Sequence, residues 1–250
     1  MSENGCLMRE IELLYKLKVG VYMYRMIFCD VDGTLLTGGD RIDKDILNII
    51  KRLTDKGMLF SVASGRPYSQ LKPLFGEIWR QIIFICLDGA IVMHRDCVLY
   101  KKRLCRIEAG RLLALPKKAE IFGRNTEVVL PEDMPYDRRI SEFNRKGDIF
   151  KLALYGENPQ TGNFRICYNR DGICEYVNPT ADKGAAARAV MEKFSVNSES
   201  AAAIGDGEND LPLLLSVGAP YRTEPCATVL RDRGFAAVSD VKAALEGFLK

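Results

Sequence analysis

Nowhere does the chain run for about 18 apolar residues in succession, so a membrane-spanning helix is not expected. The first segment, MSENGCLMREIELLYKLKVGVYMYRM, lacks an uninterrupted apolar stretch and a cleavage site, and does not read as a secretory signal. Histidine is almost missing: there is 1, His94. Chemistry that needs several histidines is therefore excluded, and a nucleophilic triad around His94 lacks the Gly-x-Ser-x-Gly turn that would accompany it. His94 lies between two apolar runs in IVMHRDCVLY, where it reads as a solvated residue of a hairpin turn. The 8 cysteines, at 6, 29, 86, 97, 105, 167, 174 and 226, include no Cys-x-x-Cys pair. That spacing argues against structural zinc or a disulfide framework and for reduced thiols in the cytoplasm. Neither sign of charge dominates. The formal net charge is +3, so nothing requires nucleic acid or an acidic membrane as partner.

What is present is a chain of 250 residues, 47% apolar, long enough for a core and a smaller insert. In residues 1–25, Leu13, Leu14 and Leu17 can line one face of a short helix. From Met26 the pattern alternates. An apolar strand ending at Cys29 is followed by a helix whose face is Ile42, Ile46, Ile49, Ile50 and Leu53, with Gly57 behind it as a C-cap. MLFSVA and IIFIC read as two further strands with a short helix at 68–76 between them. Such βα alternation predicts an α/β fold with a doubly wound parallel, Rossmann-like sheet. The alternation stops near Ala90. A hairpin, a helix at 106–115, a helix near 137–146 and the strand candidates AEIFG, EVVLP, IFKLALY and NFRICY suggest an inserted α+β cap over 91–176. The core is then 26–90 and 177–250, with helices expected at 182–194, 209–216 and 240–249. Within the insert 16 Lys/Arg face 12 Asp/Glu, an excess of 4 that leaves −1 for the remainder. A basic insert beside an acidic site suits an anionic substrate, and scattered surface charge explains it equally well.

The chemistry must rest on carboxylates. Asp30 and Asp32 stand two apart directly after a buried strand, and strand ends of an open parallel sheet face the binding crevice. Two carboxylates crowded there need a cation or a shared proton. Gly33 lets the backbone turn so that amides can point at an anion, and Thr34 can brace the loop. A second acidic turn, GDGEND, supplies Asp206, Glu208, Asn209 and Asp210 after the strand SAAAIG. Oxygen donors of this kind suit magnesium, whereas the spacing fits neither a calcium loop nor a dinucleotide-binding Gly-x-Gly-x-x-Gly. Ser64 ends the second strand in Ser64-Gly65-Arg66, where a hydroxyl and amides can hold a phosphoryl oxygen. Lys183 opens a helix, against the macrodipole, and a neighbouring anion would give the reason.

Together these residues resemble the haloacid dehalogenase-like superfamily of phosphohydrolases. Four motifs occur in order: DVDGT at 30–34, Ser64 in ASGR, Lys183 in DKG, and GDGEND at 205–210. The position of the insert, with SGRPYSQL and GDGENDLPLL, resembles the Cof-type branch with its class II cap. The resemblance implies Asp30 as nucleophile, Asp32 as general acid and base, and Ser64 and Lys183 as stabilisers of the transferring phosphoryl group. It implies phosphate contacts from Gly33, Gly65, Arg66 and Asn209. It also implies Mg2+ held by Asp30, the Asp32 carbonyl and Asp206, with Asp210 acting through water or as support. The expected substrate is a small phosphorylated metabolite, such as a sugar phosphate. A phosphosugar mutase with the same two aspartates and a catalytically silent binding or regulatory relative are the alternatives. Family members begin a few residues before the first strand, so a native start near Met23 or Met26 is expected. This chain departs from the branch at Asp88-Gly89-Ala90, where Asn-Gly-Ala is usual, and the extra carboxylate either alters substrate preference or is solvated. It also lacks an Asn-Ala turn in GAPYRTEPCATVL, and its insert is short. Of the insert's basic residues, Arg124, Arg138 and Arg139 are candidate substrate contacts or, more simply, parts of solvated faces.

Overall fold

The computed structural model describes residues 24–115, 117–145, 147–156, 162–170 and 172–250. The expected helix around Leu13, Leu14 and Leu17 lies outside them. Two sheets are present. The larger is built on β1 (Met26–Asp30), β2 (Leu59–Ala63) and β3 (Ile82–Cys86), and continues through β4 (Ile91–His94) and β5 (Cys97–Lys101). The smaller contains β6 (Ala119–Gly123), β7 (Glu127–Leu130), β8 (Ile149–Tyr155), β9 (Arg165–Arg170) and β10 (Ile173–Val177). The chain then returns to the first sheet through β11 (Ala201–Gly205), β12 (Ala219–Thr223) and β13 (Ala236–Val238). The strand order is β13-β12-β11-β1-β2-β3-β4-β5 in the large sheet and β7-β6-β8-β10-β9 in the small one.

From β13 to β3 every pairing is parallel, and β1 is central, with Asp30 level with Ala63 of β2 and Cys29 level with Ile204 of β11. Strands of this kind are buried on both faces, which is why their sequences are continuous apolar runs. Ile27, Cys29, Phe60 and Val62 pack towards α1 (Lys44–Asp55) with its Ile49, Ile50 and Leu53. Met26, Phe28, Leu59 and Ala63 pack the other way, with Ala186, Ala187, Val190 and Met191. Those four lie on a later helix, Lys183–Lys193, whose N-cap Asp182 accepts a 2.6 Å bond from the Ala185 amide.

The hairpin expected to open the insert belongs to the large sheet: β4 pairs antiparallel with β3, and β5 with β4. Ile91, Val92 and Met93 are apolar on both faces and extend the buried core. The second sheet therefore starts at Ala119, not at residue 91. His94 is corrected as well. It ends β4 fully buried, its Nδ1 3.2 Å from the Ile82 carbonyl, and the two-residue turn is Arg95-Asp96, both at positive φ.

The small sheet is wholly antiparallel and covered on one side by α2 (Arg106–Leu113) and α3 (Tyr136–Arg145). The period-2 alternation sorts its side chains. Ala119, Ile121, Leu152, Leu154, Cys174 and Tyr176 join the core under these helices. Glu120, Phe122, Lys151 and Glu175 point the other way, into a cavity between the sheets. Arg139 is neither solvated nor near this cavity. It is 1% exposed and donates to the carbonyls of Leu113, Pro131 and Lys117 at 3.0, 2.8 and 2.6 Å, tying α3 to the segments around it. Arg124 and Arg138 are exposed, the former bonded to the Asp96 carbonyl. No helix among the described residues is long and apolar enough to cross a membrane, and none of the described cysteines is in a disulfide.

Candidate active site

The C-terminal ends of β1, β2, β3 and β11 deliver Asp30, Ser64, Asp88 and Asp206 to one rim. Asp30 is buried, and Lys183 Nζ lies 2.7 Å from its Oδ1 and 2.6 Å from Asp210 Oδ1. The two anions give the reason for a lysine at a helix N-terminus. Burial disfavours the Lys183 ammonium, but Asp210 and Asp30 outweigh it and its pKa is raised. Burial, then the neighbouring Asp210, pushes Asp30 well above the ordinary carboxylate range despite Lys183. Asp206 is also raised, by burial against the bond it accepts from Thr34 Oγ1 at 2.9 Å. Excess negative charge is thus concentrated where a cation would relieve it.

Oxygens of Asp30, Asp206 and Asp210 lie within 4.8 Å of one another. This hard, all-oxygen donor set fits magnesium. The Asp210 carboxylate is already engaged: Oδ1 meets Lys183, and Oδ2 accepts from the amides of Asp206 and Gly207 at 3.0 and 2.9 Å. It braces the turn, which leaves Asp30 and Asp206 as the carboxylates with open coordination.

Asp32 stands at the cavity mouth, its side chain 49% exposed, and Arg66 grips it with two nitrogens, Nε at 2.9 Å and a terminal nitrogen at 2.5 Å. Ser64 Oγ is 3.4 Å from the same carboxylate and accepts from the Arg66 amide at 3.1 Å. Arg66, expected as a phosphate contact, therefore lies on the second aspartate. Gly65 and Asn209 line the cavity, which has a volume of about 870 Å³. Gly33 turns the loop at φ +87° directly beside Asp206.

The sequence singled out Asp88 without a role and missed Lys151 altogether. Asp88 is 3% exposed, so the solvated alternative is wrong. Its Oδ1 accepts from Asn209 Nδ2 at 3.0 Å, and its Oδ2 from Lys151 Nζ at 3.0 Å. Lys151 also lies 2.5 Å from Glu175 Oε2. Asp88, Cys167 and Glu175 form a second cluster able to hold a metal, but the Lys151 ammonium already serves as cation to its two carboxylates. The signal for Lys151 was a charged residue inside the apolar strand run IFKLALY.

A profile of haloacid dehalogenase-like hydrolases matches residues 27–126 and 139–222. The chain belongs to that family. Within it the chain is a Cof-type phosphatase, and its reaction class is phosphoric monoester hydrolysis. Relatives include an HMP-PP phosphatase of Serratia proteamaculans, 23% identical over 237 residues, covering 78% of this chain and 82% of that protein. A glucosyl-3-phosphoglycerate/mannosyl-3-phosphoglycerate phosphatase of Persephonella marina is 25% identical, with 78% and 83% covered. Among solved structures, a subclass IIB sugar phosphatase aligns with TM-score 0.74 at 15% identity, over 90% of this chain and 98% of its own. A Thermotoga maritima protein aligns at 0.75 and 20%, over 90% and 97%. At these identities the solved structures attest the fold.

Proposed function

We propose that this phosphatase is magnesium-dependent and works through an aspartyl phosphate on Asp30, acting on small phosphorylated metabolites. The observation that carries the reading is the buried Asp30 carboxylate, 2.7 Å from Lys183 and within 4.8 Å of the Asp206 and Asp210 oxygens, with Asp206 and Asp32 lining a cavity sized for a metabolite.

An Asp30 oxygen attacks phosphorus as the bond to the leaving oxygen breaks, and protonated Asp32 gives that oxygen its proton. Asp32, now a carboxylate, takes a proton from water as the water oxygen attacks phosphorus and the bond to Asp30 breaks. The sum is ester plus water to alcohol plus phosphate, with both aspartates returned to their starting states. Arg66 pairs with the Asp32 carboxylate when no substrate is bound, and Asp32 can carry the proton it donates only once that pair has opened. Lys183 supplies positive charge to the attacking carboxylate and to the phosphoryl oxygens. Ser64 Oγ and the backbone of Gly65 and Gly33 offer further donors. Asp30, the Asp32 carbonyl and Asp206 would hold Mg2+, with Asp210 orienting the turn. When bound, the ion neutralises charge on the transferring phosphoryl group.

Asp30→Asn tests the reading, because an amide is neither charged nor nucleophilic. Turnover of a phosphomonoester with magnesium should vanish while circular dichroism is unchanged. A rate within about tenfold of the wild type would refute the nucleophile assignment. Calorimetric titration with MgCl2 tests the metal separately: Asp206→Asn should weaken binding by about 10-fold or more. Unchanged affinity would remove Asp206 from the ligand set.

A further inference from the structure

Lys151 has no part in the mechanism above, yet it is the most deeply placed charge contributed by the small sheet. It lies on β8, but its ammonium reaches the other sheet, 3.1 Å from the Gly65 carbonyl and 3.0 Å from Asp88 Oδ2, with Glu175 of β10 as third partner at 2.5 Å. The side chains of Lys151 and Asp88 are 2% and 4% exposed. An ammonium has three hydrogens, and these partners take all of them. Lys151 is therefore fully committed within the protein and has no donor left for substrate.

Asp88 is the receiving end. Leu87 and Asp88 both adopt left-handed backbone, at φ +51° and +54°, which side-chain-bearing residues rarely do. This turn buries the Asp88 carboxylate between catalytic loops. The Asp88 amide donates to the Ser64 carbonyl at 3.1 Å, and its carboxylate's other oxygen holds Asn209, next to Asp210. Arg165 of β9 adds a longer bond to the Asp88 carbonyl, 3.4 Å, and a 2.6 Å bond to the Ala181 carbonyl, where the chain re-enters the core.

We propose that Lys151 is a positioning residue which, by gripping Asp88 and the Gly65 carbonyl at once, fixes the loops bearing Ser64 and Asn209 only when the small sheet is seated on the core. The cap thereby controls the geometry of the catalytic loops through a buried ion pair, in addition to covering them. Asp88 supplies the buried counter-charge that the Lys151 ammonium needs. This rests on the phosphohydrolase reading.

The test uses p-nitrophenyl phosphate, which is too short to need the small sheet for binding, in the full-length protein with saturating MgCl2. Lys151→Met should lower kcat by about 10-fold or more while KM stays within about threefold, the signature of lost positioning rather than lost binding. Asp88→Asn/Lys151→Met should stay as impaired as Lys151→Met, because the bridge to the Gly65 carbonyl and to position 88 is gone in both. Neutralising position 88 does not restore that bridge, and Glu175 is still left without its Lys151 partner. Should Lys151→Met fail to fold, Asp88→Asn alone decides. It should lower kcat about threefold or more and speed amide exchange in residues 64–66. A kcat within twofold of wild type in Lys151→Met, a change confined to KM, a double variant restored to near the wild-type kcat, or unchanged kcat and exchange in Asp88→Asn would each overturn the proposal. Asp30→Asn run in parallel separates the two levels: if it stays active, the nucleophile is wrong; if it is dead and Lys151→Met is unaffected, only the positioning role fails.

Discussion

Gly33 stands where a side chain would strike the Asp206 carboxylate. A Cβ added there would lie 2.4 Å from Asp206 Oδ2, and the residue sits at φ +87°. Gly33→Ala therefore strains the turn and displaces Asp206 together. Displacing a reacting group by about 1 Å can cost about 100-fold in rate, whereas an alanine forced to positive φ costs about 1 kcal/mol of stability. The variant is expected to fold, melt slightly lower and lose about 100-fold in kcat, read by steady-state kinetics beside a thermal melt. Retained activity would mean that the loop relaxes without moving Asp206. Asp30, Asp32, Ser64, Lys183, Asp206 and Asp210 were picked out in the sequence, the aspartates by their spacing at strand ends and Ser64 and Lys183, weak signals alone, by the family resemblance; the structure brings them to one rim. The partners of Arg66 and Lys151 were not. Arg66 meets Asp32 across 34 positions and Lys151 meets Asp88 across 63, and nothing local specifies either meeting.

The elements followed their periodicities closely where these were strong. Each of β1, β2, β3, β6, β7, β8 and β9 was visible as an apolar or alternating run, and the helix at Lys183–Lys193 was marked by its alanines and its Asp182 cap. β10, β12 and β13 were not recognised. Their sequences ICEYV, APYRT and AAV are short or carry a proline, and they become strands by pairing with β8, β11 and β12. The β4–β5 hairpin was seen but misassigned, since which sheet a hairpin joins is a tertiary decision. Its histidine makes a prediction. Burial, aided by Arg95, lowers the His94 pKa from 6.5 to about 4. Above pH 6.5 folded and unfolded chains are both neutral at this site. As pH falls from 6.5 towards 4 the unfolded chain takes up a proton that the folded chain refuses, so stability declines across that window, by up to about 3 kcal/mol. His94→Asn keeps a donor and cannot titrate. Urea midpoints measured at pH 7.5 and pH 4.5 should fall less for the variant than for the wild type; equal falls would show that His94 is not the titrating group.

At the scale of the whole molecule, the distribution of charge matters more than its sum. The basic excess counted along the insert does not face the cavity. Of the small-sheet residues that line it, Glu120, Glu127 and Glu175 are acidic and Lys151 alone is basic. Lys151 is held by Asp88 and Glu175, and Arg66, the other base in the lining, is held by Asp32. Glu120 accepts from Tyr155 Oη at 2.5 Å and has Lys118 Nζ at 3.6 Å, which offsets part of its charge, while Glu127 accepts only a neutral amide bond from Gln70 at 3.1 Å. In the proposed mechanism Lys183 meets the transferring phosphoryl group, but the leaving group enters a region with no uncommitted cation among the described lining residues. A second anion on the substrate would meet only repulsion there, while an amine or hydroxyls would find acceptors. With a matched series of hexose 6-phosphates, kcat/KM should rank the amino sugar at or above the neutral sugar, and both above the sugar acid by about 10-fold or more at low salt. Raising ionic strength to about 0.5 M should narrow the gap, since part of it acts through solvent-exposed charge. Glu120→Gln/Glu127→Gln should narrow it further by raising the rate for the acid while sparing the neutral sugar. Preference for the carboxylated ester in the wild type would show that a cation absent from this lining reaches the leaving group, and the electrostatic account of specificity would fail.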